Sequence, residues 1–157
     1  MLSIYLNDHL AGSTVGAELA KRSAASNRGT AHGAFLERLA REIEEDRATL
    51  LEIMSALDVR VDRVKVFGGW AAEKLGRLKF NGRVLGYSPL SRVLELEGLT
   101  LGVHGKLSLW QKLDELQPRP LGLAAFDLPA LMRRAERQLQ ELDERGRQSA
   151  AEALGRS

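Results

Sequence analysis

Asp46 is the residue of this chain most able to do chemistry, because it stands where an aliphatic side chain is expected. Leu36, Leu39, Ile43, Asp46, Leu50, Ile53 and Leu57 recur at alternating spacings of three and four residues, the seam of one amphipathic helix. An acid inside such a seam must meet a cation, because an unpaired buried charge is costly. A second interruption lies further on, where Glu97 and His104 fall among Leu90, Leu94 and Leu101. Reflecting successive helices about their turns, at about 1.5 Å per residue, sets Asp8 level with Asp46, Asp46 with Glu73 and Glu73 with Glu97.

Two chemistries fit that pattern. In one, Asp8, Asp46, Glu97 and His104, with Glu42 or Glu73 and His9 as further donors, bind a hard or borderline metal ion. In the other, which we prefer, the acids form a buried salt-bridge cluster with an inward base. Lys74 is the expected base, because Val64, Phe67, Ala71, Lys74 and Leu78 share one helical face.

The elements that must position these groups are helical. Aromatics make up only 5% of the 157 residues, and Leu, Ala, Arg and Glu dominate, which favours helix over strand. Five helices are expected, the first from Leu2 to Ser26 and the second from Ala31 to Leu57 with Thr30 as its cap. A third runs from Asp62 to about Phe80, and a fourth from the Ser88-Pro89 start to about Leu116. Pro118 and Pro120 stop the fourth helix, and Asp127 caps a charged fifth that extends to about residue 150. The fourth, apolar on most sides, is expected to be the most buried. Together they predict a single all-α domain, an antiparallel up-and-down bundle of four core helices plus one additional helix.

Glycines punctuate these helices at Gly12 and Gly16, at Gly98, Gly102 and Gly105, and at Gly68 and Gly76 around Ala72. Each costs about 1 kcal/mol relative to Ala in a helix interior, so the stripes need a reason. Close backbone packing is the expectation, and a cavity left for a ligand is the alternative.

Composition narrows the function classes. With no cysteine there is no disulfide, no thiolate chemistry and no Cys-based metal site. No apolar run reaches the roughly 18 residues of a membrane span, and Met1–Leu10 does not read as a signal peptide. A cytoplasmic location is the expectation. Net charge is only +2. Glu37–Asp58 carries seven acids and three arginines, whereas Arg60–Arg92 carries eight bases and two acids. Attraction between neighbouring helices accounts for that split better than an anionic partner does. The basic, aromatic-bearing stretch from Arg77 to Arg92 is read as solvent-facing, with nucleic acid not expected. His32, in the first turn of the second helix, is expected to be exposed, and no phosphate-binding loop, nucleophile elbow or HExxH motif is present.

A helical bundle with inward acids at one level resembles the ferritin-like superfamily. That resemblance implies one Glu on each of two helices and a Glu-x-x-His pair on each of the other two, holding two metal ions. Here Glu42 is followed three residues on by Glu45, and Glu97 by Thr100, so the di-iron motif is not intact. The expectation is therefore a non-catalytic structural or interaction module, a homodimer, with no cofactor. The alternative is an iron- or manganese-binding protein or oxidase with an atypical carboxylate-rich site.

Overall fold

The computed structural model describes residues 1–63 and 87–155. Among them the chain forms four α-helices: α1 (Leu2–Ser26), α2 (Gly33–Ala56), α3 (Pro89–Asp114) and α4 (Leu128–Leu154). A single 3₁₀ turn, Leu121–Leu123, lies between α3 and α4, and no strand occurs among the described residues. The helix expected over 62–80 falls, but for its first residues, outside them. So do Glu73, Lys74 and the stripe Gly68, Ala72 and Gly76.

Helix boundaries follow local chemistry. The Ser88 hydroxyl accepts from the Ser91 backbone N–H at 3.1 Å, and Pro89 occupies the first turn of α3. The Asp127 carboxylate accepts from Ala130 N–H at 2.8 Å and starts α4. Thr30 does not cap α2. Its hydroxyl donates to the Asn27 carbonyl at 2.8 Å, and α2 begins after His32 with no side-chain cap. The link from α1 to α2 turns through Gly29, whose φ of 75° is a conformation that side chains disfavour.

Two apolar clusters form the core. Ala17, Ala20 and Ala24 of α1 gather with Phe35, Leu36, Leu39 and Ile43 of α2, Leu96, Leu99 and Val103 of α3, and Ala135 and Leu142 of α4. Leu6 and Leu10 gather with Leu50, Ile53, Met54, Leu109, Trp110, Leu113, Leu128 and Leu131. On α1, α2 and α3 the two clusters leave a gap, between Leu10 and Ala17, Ile43 and Leu50, and Val103 and Leu109, and on α4 the buried Gln138 falls between Ala135 and Leu142. A middle layer therefore separates two dry halves.

The face of α3 that was expected to turn inward turns outward instead. Leu90, Leu94 and Leu101 are exposed at 50%, 53% and 73%. The buried stripe is Leu96, Leu99, Val103, Trp110 and Leu113, so α3 is half-exposed rather than the most buried helix.

Two buried asparagines, Asn7 on α1 and Asn27 at its C-cap, hold the chain on either side of residues 64–86. Asn7 donates to the Arg60 carbonyl at 3.0 Å and accepts from the Asp62 N–H at 2.6 Å. Asn27 donates to the Tyr87 hydroxyl at 2.6 Å and accepts from Arg92 Nε at 2.7 Å. Tyr87 and Arg92, which the sequence places in a solvent-facing basic stretch, are thus tied to the bundle end, and Tyr87 also donates to Glu95 at 3.0 Å.

Candidate functional site

The middle layer holds the polar chemistry. Asp46 keeps its place in the α2 seam and is 2% exposed. The Lys106 ammonium from α3 donates to Asp46 Oδ2, and to Gln138 Oε1 of α4 at 2.5 Å. Gln138 passes the polarity on, donating through Nε2 to Glu42 Oε2 at 2.7 Å. Arg134 closes the outer side, with Nη1 at 2.9 Å from Glu45 and 3.3 Å from Asp46 Oδ1. One carboxylate thus meets two cations, the balance a buried acid needs. Burial pushes the Lys106 amine below the usual lysine range, while the charge of Asp46 and its hydrogen bond push the other way.

Side chains fill this layer from three helices. The fourth, α1, contributes Gly12 and Gly16, and across from them α3 carries Gly102 and Gly105. A β-carbon added at any of these four would meet nothing within 4 Å. Among the described stripe glycines Gly98 alone has a near neighbour, and it is a side chain rather than backbone, its added β-carbon falling 3.1 Å from Leu19 Cδ2. At the other four, the packing expectation is corrected. They wall a cavity of about 200 Å³, with Ile43, Leu50, Leu99, Val103, Leu109 and Trp110 as its apolar lining. His9, Ser13, Asp46, Arg47 and Lys106 supply its polar groups. Gly12 and Gly102 are exposed and mark the mouth.

Several donors at this wall are unspent. Lys106 has three N–H groups, and two are placed, on Asp46 and Gln138. Trp110 also lines the cavity but is 1% exposed, and its indole N–H, which has no hydrogen-bond partner among the described residues, is sealed off from it. Arg47 is held by Thr14 at 3.4 Å through Nε and by Glu44 at 3.2 Å through Nη1. Against these, one acceptor, Asp46 Oδ1, lacks a hydrogen bond and has only the Arg134 charge nearby. His9 packs edge-on to Tyr5, with ring centroids 4.6 Å apart, and burial lowers its pKa, so the imidazole is neutral at pH 7.

The four candidate ligands do not come together. Asp8, Glu97 and His104 are exposed, and Asp46 alone is buried. The register explains Asp8: Arg47 bonds Thr14, so Asp46 lies level with the glycine stretch of α1, about 9 Å along the axis from Asp8. Glu97 and His104 belong to the outward stripe of α3. Among the described residues no group of three His, Asp or Glu side chains could hold a metal ion, and the Asp46 carboxylate already faces Lys106 and Arg134. The layer therefore does not fit a di-metal centre. Lys74, the expected partner of Asp46, lies outside the described residues; the partners seen are Lys106 and Arg134. His32, expected to be exposed, is buried, with its pKa lowered first by burial and then by the charge of Arg92.

Lys106 and Gln138 escaped the sequence reading, although the signal that exposed Asp46 was available for both. Leu96, Leu99, Val103, Lys106, Trp110 and Leu113 alternate by three and four, as do Leu128, Leu131, Ala135, Gln138 and Leu142. In comparisons with known proteins, no family model, no curated protein and no solved structure matches the chain, so its chemistry must be argued from its own residues.

Proposed function

We propose that this chain is an antiparallel, ferritin-like bundle without a working metal centre, in which an ammonium takes the place of the metal ions. The observation that carries this reading is the Lys106 ammonium seated on Asp46 and Gln138 in a layer to which all four helices contribute. The pairing of side chains supports the antiparallel arrangement. Thr14 meets Arg47 and Lys21 meets Glu44, while Arg22 meets Glu95 and Leu10 clusters with Leu109. Arg134 meets Glu45, and Arg38 meets Glu141. In this arrangement α2 and α3 run the same way and are joined by the long connection, which is the crossover topology of ferritin-like folds.

The protein acts as a non-catalytic structural or interaction module of the cytoplasm. As a homodimer, it would cover Leu90, Leu94 and Leu101 with a second copy. Elemental analysis of the purified protein for iron, manganese and zinc tests the reading. The expected result is metal far below stoichiometry. More than about half an ion per chain, lost in a folded Asp46→Ala variant, would establish the carboxylate-rich metal site instead.

A further inference from the structure

We propose that the cavity between α1 and α3 is a binding site for a small monocarboxylate with an aromatic or branched apolar body. The cavity is a consequence of sequence: at the level where α2, α3 and α4 supply Asp46, Lys106 and Gln138, α1 supplies Gly12 and Gly16. Helix-interior glycines are unfavourable, and these four are not needed to let backbones touch, since an added β-carbon at each meets open space. What they leave is room.

The size and lining of that room select the ligand. An apolar cavity of about 150 Å³ accommodates benzene, so about 200 Å³ takes a ring or branched chain with a short polar extension. Leu99, Val103, Leu109 and Trp110 of α3 and Ile43 and Leu50 of α2 would receive the apolar body. The unspent polar groups are donors: the third N–H of Lys106 and the outer nitrogen of Arg47. They call for an acceptor, and because both donors are cationic groups a carboxylate meets them with the strongest hydrogen bonds. A carboxylate placed beside Lys106 would complete the polar layer on the one side where α1 leaves it open.

The inference rests on the preceding reading in one respect: Lys106 must be an ammonium held by Asp46, not a bystander to a metal. Metal analysis of the same preparation separates the two, because it leaves phenylacetate binding to be measured on its own. Titration calorimetry with phenylacetate, and with its neutral isostere phenylacetamide, is the test. We expect saturable binding of phenylacetate at about 1 mM or below and a preference over phenylacetamide of about tenfold. The Trp110 indole N–H resonance should shift on binding.

Gly16→Leu and Gly105→Leu, which fill the cavity from opposite walls, should each abolish binding while keeping the helical circular dichroism of the parent. Because removing Lys106 alone strips Asp46 of its partner, the charge is tested in Asp46→Leu/Lys106→Met. That variant should bind the acid and the amide equally. The proposal is overturned if wild-type protein shows no saturation by about 10 mM, if amide and acid bind it equally well, or if both filled variants bind phenylacetate as the parent does.

Discussion

Replacing Lys106 by Met removes the ammonium that Asp46 and Gln138 share, and its effect follows from burial. Asp46 is 2% exposed and cannot recover hydration without opening the bundle. Breaking a buried pair from one side typically costs about 3–5 kcal/mol. Arg134, already 3.3 Å from the other carboxylate oxygen, partly compensates and places the loss at the lower end. Asp46→Leu strands the ammonium instead, and Lys106, whose amine burial already holds below the usual lysine range, should lose a comparable amount. Together the single losses sum to about 6 kcal/mol, a large share of the stability of a domain this size.

The double variant Asp46→Leu/Lys106→Met joins two apolar side chains across the layer and strands only Gln138 Oε1, at about 1–3 kcal/mol. The coupling between the two sites should therefore be about 3 kcal/mol or more, readable by urea unfolding followed through helical circular dichroism. If the double loss equals the sum of the singles, the pair does not hold the centre and the argument for it fails.

Two further outcomes test other parts of the structure. Gly16→Ala and Gly105→Ala, with open space at the added carbon, should each raise the thermal midpoint through a helix-propensity gain of up to about 1 kcal/mol. Gly122→Ala should lower it, because the new carbon would sit 2.2 Å from the Ala56 carbonyl oxygen. His32 carries a pH dependence. Its folded pKa lies below the ordinary value near 6.5, so the unfolded chain binds the proton more readily and stability falls as pH drops below about 6.5. Comparing urea midpoints of wild type and His32→Phe across that range should show a shallower acid loss in the variant; parallel curves would refute the buried, neutral imidazole.

Much of the architecture could be read from spacing alone. The α2 seam is buried from Leu36 to Ile53 with Asp46 in its midst, as its periodicity predicts, and the Ser88-Pro89 and Asp127 starts occur where expected. The reading of α3 failed for a physical reason. That helix has leucines on nearly every side, so two frames shifted by a residue or two satisfy the same pattern, and the frame with Glu97 and His104 is the outward one. Only packing against α1 and α4 chooses between them. The same ambiguity hid Lys106, which falls in the inward frame between Val103 and Trp110 and goes unnoticed once the outward frame is chosen. The glycines were visible, but whether a missing side chain is filled by a neighbour or left empty depends on the opposing helix. At Gly98 Leu19 fills the space, and at Gly102 nothing does.

Asn7 and Asn27 give α1 a second role beyond its apolar face. They sit on one stiff rod about 30 Å apart, and each grips the chain where it leaves or re-enters the described bundle. Asn27 thereby helps to seat the start of α3, while Asn7 fixes the chain after it leaves α2. Both clasps are made by residues outside 64–86, so an insertion there should leave them fastened.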